Sequence, residues 1–248
     1  MKRFCLSVGV ALLIGSMGEE AGAGRVGFWK GEGNATDEEG NSNGILLGGT
    51  TFATAAVGQG FQLDGVNDQV RIPDVNAFDV TNLTVAFWFK PTVNAVPVDE
   101  DLVGKNALNA LGWGFAADTQ GNGNRQVKFR AFGSSGPTLG AVIATDASSY
   151  LNHFFHVTGT VQTGGDIKLY INGAEFASQA FPGTLVTNNL DIDVSHATGG
   201  AYFGGLIDEL QIWDRALSAN EVANLLPEPS TATFLLASLV VLSRRWRR

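Results

Sequence analysis

The sequence predicts an all-β sandwich of two antiparallel sheets, with one short helix near the C-terminal end of the domain. Three observations predict it. Thr84-Val85-Ala86-Phe87-Trp88-Phe89 is β-branched and aromatic and ends at Pro91. Asp166 to Ile171 alternates, with Ile167, Leu169 and Ile171 on one face and Lys168 and Tyr170 on the other. It runs into Asn172-Gly173, the pair that favours a type I′ hairpin turn, so Ala174 to Ala180 returns as the partner strand. About a dozen such short runs are separated by Gly, Asn and Asp turns, which is the rhythm of a sandwich or barrel. The helix follows from Ser218 and Glu221, a capping box, with Val222, Leu225 and Leu226 as its apolar face. Roughly 200 residues, Gly-rich and Pro-poor, bury one core without a linker or a repeat.

The two ends read as transport signals flanking that domain. Lys2 and Arg3 precede an apolar run from Phe4 to Ile14, too short to span a bilayer, and Ala21-Gly22-Ala23 has the form of a cleavage site. Residues 1–23 are therefore expected to be a signal peptide, the competing reading being a buried N-terminal helix. Cys5 lies within the apolar run, has no small-residue lipobox around it and leaves with the peptide. At the other end, Pro227-Glu228-Pro229-Ser230 leads into an apolar stretch, Ala232 to Leu242, and then Arg244, Arg245, Trp246, Arg247 and Arg248. The apolar run is expected to enter the membrane while the arginines stay on the cytoplasmic side. Its shortness calls for snorkelling or local thinning.

The 248-residue chain holds 16 basic and 24 acidic residues. Without the two ends, residues 24–226 keep 10 basic and 21 acidic residues, a net charge of −11. Such a surface repels phosphate backbones and anionic lipid, which excludes nucleic acid as a partner. The same stretch has no cysteine and can form no disulfide in an oxidising compartment.

Several motifs, in order, resemble one family. Phe28-Trp29, Gly31-Glu32-Gly33 and Asp37-Glu38-Glu39-Gly40-Asn41 look like the opening strand and acidic loop of LamG-like domains. Gly60 to Val70, with Leu63-Asp64-Gly65 and Asp68, is similar to their hairpin, and Leu83 to Lys90 to the strand that follows. Leu169-Tyr170-Ile171-Asn172-Gly173 resembles their Asn-Gly turn. Phe203 to Leu210, Trp213, Arg215-Ala216-Leu217-Ser218 and Glu221 resemble their closing segment. The resemblance spans nearly all of residues 26–226 and implies the concanavalin A-like jelly roll. Phe154 stands before His156 where the family usually has Trp; a large aromatic is kept, and His156 is expected to be a satisfied structural residue. The tail, in turn, is similar to the PEP-CTERM sorting signal of Gram-negative bacteria, with Pro227, Glu228 and Pro229 as the motif. That implies processing by an exosortase-type membrane protease; a plain membrane anchor is the alternative.

The resemblance also implies a structural calcium ion joining the acidic loop to the closing strand, with Glu32, Asp37 and Asp208 as ligands. Calcium takes six to eight oxygens from carboxylates, amides and carbonyls. The alternative is that Asp208 only accepts hydrogen bonds while Glu32 and Asp37 sit in a solvated loop. Asp64, Asn67 and Asp68 read as hairpin-turn chemistry.

No catalytic residue is assigned. Glycosidic cleavage needs two carboxyl groups about 5–5.5 Å apart for retention, or about 6.5–9.5 Å for inversion. The E-x-D-x-x-E run of the superfamily's glucanases does not occur. Asp191 and Asp193 have its period without a flanking Glu, and Asp99-Glu100-Asp101 reads as a solvated turn after Pro97. His153, His156 and His196 show no metal-ligand spacing, and there is no Gly-x-Ser-x-Gly elbow. Trp29, Trp88 and Trp213 are expected in the core, with Trp113 less settled between Gly112 and Gly114. The expectation is an exported, non-catalytic module that binds an extracellular polysaccharide or a surface protein at the bacterial envelope. The alternatives are a glycan hydrolase of the same superfamily and a purely structural matrix protein.

Overall fold

The computed structural model describes residues 24–93, 99–107, 111–120, 122–132, 138–144, 146–195 and 201–227. The signal-peptide segment and the tail from Glu228 onward, including Glu228 and Pro229 of the sorting motif, lie outside the described residues. Among the described residues no helix is long and apolar enough to cross a membrane.

Among the described residues sixteen strands form. In chain order they begin with β1 (Arg25–Trp29), β2 (Ile45–Leu47), β3 (Thr51–Thr54), β4 (Gln59–Asp64), β5 (Gln69–Ile72) and β6 (Leu83–Pro91). Next come β7 (Glu100–Ala107), β8 (Leu111–Thr119), β9 (Arg125–Phe132), β10 (Thr138–Ala144) and β11 (Phe155–Val161). The last are β12 (Gly165–Ile171), β13 (Ala174–Phe181), β14 (Ile192–Val194), β15 (Ala201–Tyr202) and β16 (Gly204–Trp213). Two short helices are α1 (Ala147–Tyr150) and α2 (Ala219–Ala223). The first sheet runs β13-β12-β11-β6-β16-β4-β3 with β1 also on β16. The second runs β10-β9-β8-β7-β14-β5-β2 with β15 on β7. Every pairing is antiparallel except β15 with β7.

Period-two alternation sets the core. Val85, Phe87 and Phe89 of β6, Val157 of β11 and Ile207 of β16 meet Phe115, Val127 and Phe129 of the second sheet in one buried cluster. Phe87 meets Phe115 edge to face at 5.1 Å between centroids, and Phe115 stacks on Phe129 at 4.5 Å, joining the sheets by aromatic contact. Gly159 makes room for this stack, since a Cβ there would lie 2.6 Å from the Phe129 ring. Asn172 (φ 48°) and Gly173 (φ 80°) both take positive φ, as the expected type I′ turn between β12 and β13 requires.

The closing strand carries a bulge. The β16–β6 register shifts between Asp208 and Gln211, and Glu209 takes φ 53°. Strict alternation from Ile207 would turn Leu210 outward; the extra residue returns Leu210 and Ile212 to the core. The capping box forms as expected, with Ser218 and Glu221 bonding each other's backbone amides. α2 lies on the outer face of the first sheet, where Tyr170, Trp213, Leu217 and Val222 make a second buried cluster. Trp213 is thus buried by a helix outside the sandwich and is not part of the core between the sheets. The sequence reading also lacked α1, a single turn capped by the Asp146 side chain on the Ser149 amide.

Candidate binding surfaces

The opening acidic loop and the closing strand meet around the β3–β4 turn, but the three expected calcium ligands do different things there. Asp37 is buried, and its two oxygens accept four backbone N–H groups, from Phe28, Glu39, Asn41 and Ser42, at 2.8–3.1 Å. All its lone pairs are engaged within the loop, so it does not fit as a metal ligand, nor is it solvated. Asp208 is fully buried; its Oδ2 accepts the Val57 amide at 2.9 Å while its Oδ1 has no partner. Glu32 is exposed and accepts the Gln59 amide at 3.1 Å. Burial pushes Asp208 up to about 6, with Glu32 adding to the shift. Burial, then the charge of Asp208, push Glu209 up to about 7. Among the described residues no three His, Cys, Asp or Glu side chains gather to hold a metal. What fits a cation is narrower: the unpartnered oxygen of Asp208 and the nearby charge of Glu32.

A row of side chains crosses the outer face of the first sheet. His156, Trp88 and Asp208 stand directly opposite one another on β11, β6 and β16. Their sequence neighbours Phe87, Phe89, Val157 and Ile207 fill the core, so these three point away from it. Trp88 is half-buried and belongs to neither apolar cluster, which corrects the expectation of a core residue. Its ring meets His156 at 5.0 Å and Phe154 at 6.5 Å, both edge to face. The Lys90 ammonium lies 4.7 Å from the centre of the half-buried Phe154 ring. His156 is buried, its backbone amide bonds Asn172 Oδ1, and burial lowers its imidazole to about 4. It is buried, but its Nδ1 has no partner, so it is not the fully satisfied residue that was expected.

The outer face of the second sheet is ionic. Arg71, Asp193, Gly104, Gly114 and Arg130 align across β5, β14, β7, β8 and β9. Arg71 Nε bonds Asp193 Oδ1 at 2.9 Å, and Asp191 Oδ1 accepts the Asp74 amide at 3.0 Å. On the other side Lys128 Nζ bridges Asp99 at 2.9 Å and Asp118 at 2.6 Å, and Arg130 pairs with Asp99. Burial opposes ionisation of Asp99, yet the Lys128 and Arg130 bonds hold its carboxyl below the usual range. Glu100 and Asp101, expected in a solvated turn, instead begin β7 and are buried. Trp29 and Trp113 are buried in the core, and Asp64 and Asp68 cap the 64–68 turn through the amides of Val66 and Asp64.

Two antiparallel sheets packed face to face define the β-sandwich class. Residues 64–223 match the Laminin_G_3 family, described as concanavalin A-like lectin/glucanases superfamily, and the chain belongs to that superfamily. No curated protein matches the chain. Among solved structures it is similar to domain 4 of AbnA, a GH43 extracellular arabinanase from Geobacillus stearothermophilus, in complex with arabinotriose. The identity is 23% over 82% of this chain and 98% of that one, with a TM-score of 0.63. It is also similar to the binding domain of botulinum neurotoxin DC in complex with SialylT, at 16% identity over 82% and 51% of the two chains and a TM-score of 0.65. The same toxin domain in complex with rat synaptotagmin II gives 16% identity over 82% and 51%, and a TM-score of 0.64. The chain spans about half the length of these toxin domains. At these identities the likeness is one of fold.

Proposed function

We propose that the protein is an exported, non-catalytic module of the bacterial envelope whose ligand is an extracellular polysaccharide. The observation that carries this reading is the ionic outer face of the second sheet, where Asp193, Asp99 and Asp118 are each held by Arg71, Lys128 or Arg130. The Lys128 and Arg130 bonds hold the Asp99 carboxyl below the usual range, which makes it a poor general acid. Fixed Asp–Arg and Asp–Lys pairs do offer sugar hydroxyls both acceptors and donors in set positions. Structures of the same fold in complex with arabinotriose and SialylT support a saccharide, and the synaptotagmin complex supports a surface protein as the second ligand class.

In this reading residues 1–23 direct export. Pro227, Glu228 and Pro229, with the apolar run and arginines, hold the chain at the membrane until an exosortase-type protease processes it. Calcium belongs to the same reading in a reduced form, with Asp208 and Glu32 as side-chain ligands and Asp37 left to its loop. The test is a glycan array probed with the purified protein, with reducing-end assays run in parallel. Binding without product supports the module. Product release would make it a hydrolase, and neither would leave a structural matrix protein.

A further inference from the structure

The first sheet carries a feature that its fold does not explain. Over β12 and β16 the outer face is sealed by α2, but the seal leaves out Trp88. A large aromatic ring therefore stays half-buried on a sheet face, flanked by Phe154 and Lys90. Beside it, on either neighbouring strand, lie two deeply buried polar side chains, His156 and Asp208, each with one atom that has no hydrogen-bond partner. Buried polar atoms are almost always paired, so the two orphans set this row apart, with the half-buried Trp88 ring as its solvent-reaching member.

We propose that Trp88 is the floor of a second saccharide subsite, separate from the ionic face of the other sheet, which takes a ring of an uncharged polysaccharide. The proposal rests on the reading above that the ligand is a polysaccharide. Trp88 and Phe154 present apolar surface to the C–H face of a pyranose. His156, edge-on to the indole at 5.0 Å, fixes its angle and is a positioning residue. Lys90, poised over Phe154 at 4.7 Å, offers a donor at the rim. That mixture of aromatic floor and few polar groups is the usual make-up of a small-ligand site, and Trp is the residue type most enriched among binding hot spots. The domain's charge of −11 over residues 24–226 repels anionic chains, which leaves neutral polysaccharides as the ligand class.

The experiment is affinity gel electrophoresis of the purified protein through linear arabinan, laminarin, galactomannan and, as the anionic probe, alginate. Wild type is compared with Trp88→Ala, Trp88→Phe and Phe154→Ala, and circular dichroism reports folding. Retardation by at least one neutral polysaccharide is expected, weakened about tenfold or more by Trp88→Ala and largely kept by Trp88→Phe. Phe154→Ala gives an intermediate loss and decides the matter should Trp88→Ala not fold. Wild-type affinity in both Ala variants would overturn the subsite while leaving the polysaccharide reading intact. Retardation by alginate alone would overturn the uncharged ligand class. No retardation of wild type by any of the four would overturn both the subsite and the reading beneath it.

Discussion

Asp37 Oδ1 accepts the backbone amide of Phe28 at 2.8 Å, so one carboxylate ties the acidic loop to the middle of the first strand. The same side chain takes three further amides from its own loop. Replacing it with Ala leaves buried N–H groups unpaired, each costing about 1–3 kcal/mol, partly recovered where the loop can reach water. A net loss of about 3 kcal/mol is expected, or roughly 6–12 °C in melting temperature for a domain of this size. A thermal melt of Asp37→Ala reads it directly; a loss under 2 °C would show that the loop is held by other means.

Calcium separates Asp37 from Asp208. With the ion on Asp208 and Glu32, calcium at a hundredfold above its dissociation constant adds about 2.7 kcal/mol to wild-type stability. Asp208→Asn is expected to abolish the difference between calcium and chelator buffers. Asp37→Asn should lower both melting temperatures by similar amounts and keep the difference. Identical wild-type melts in the two buffers would mean that Asp208 serves the Val57 amide alone.

His156 gives a pH dependence with a defined sign. Its folded imidazole is lowered to about 4 by burial, against 6.5 for the free side chain. The unfolded chain therefore binds the extra proton first as pH falls, and the stability present above pH 6.5 is lost progressively between 6.5 and 4. The full loss is on the order of 3 kcal/mol, from about 1.4 kcal/mol per pH unit. Asp208 and Glu209, both raised, act in the opposite direction. Urea midpoints of wild type and His156→Gln at pH 7 and pH 4.5 isolate the histidine, and the variant should lose less stability on acidification than wild type.

Export predicts a new amino terminus at Gly24. That residue is already built into the fold, since its carbonyl accepts the Asp214 amide at 2.8 Å and its φ of 98° suits glycine. N-terminal sequencing of secreted protein is expected to start there, and a start at Met1 would refute the signal peptide. Replacing Pro227, Glu228 and Pro229 together by Ala should leave the protein in the membrane fraction.

How far the sequence could be read depended on whether one face of an element was polar. β12 alternates cleanly between apolar and polar residues, so its two faces and the Asn172-Gly173 turn were legible. β6 was legible as a strand but not as to which ring faces out, because Thr84, Ala86 and Trp88 are hardly more polar than Val85, Phe87 and Phe89. That Trp88 stays half-buried outside the cluster under α2 is a tertiary fact with no local trace. Asp99 looks like part of a turn because its partners Lys128 and Arg130 lie some thirty residues away. The meeting of the closing strand with the acidic loop was half legible: the closing motif put Asp208 beside that loop, but no spacing reveals that Asp37 is consumed by four amides. The Glu209 bulge is invisible for the same reason, since only the return of Leu210 and Ile212 to the core discloses it.

The last strand of the domain sits in the middle of its sheet. β16 is hydrogen-bonded to β1, β4 and β6, so the first, fourth and sixth strands to be synthesised all wait for the sixteenth. A chain emerging amino end first, from ribosome or translocon, has no way to complete this sheet until Trp213 has appeared. Pairings so distant in sequence are slow to form. Completion of the first sheet is thereby delayed by topology alone.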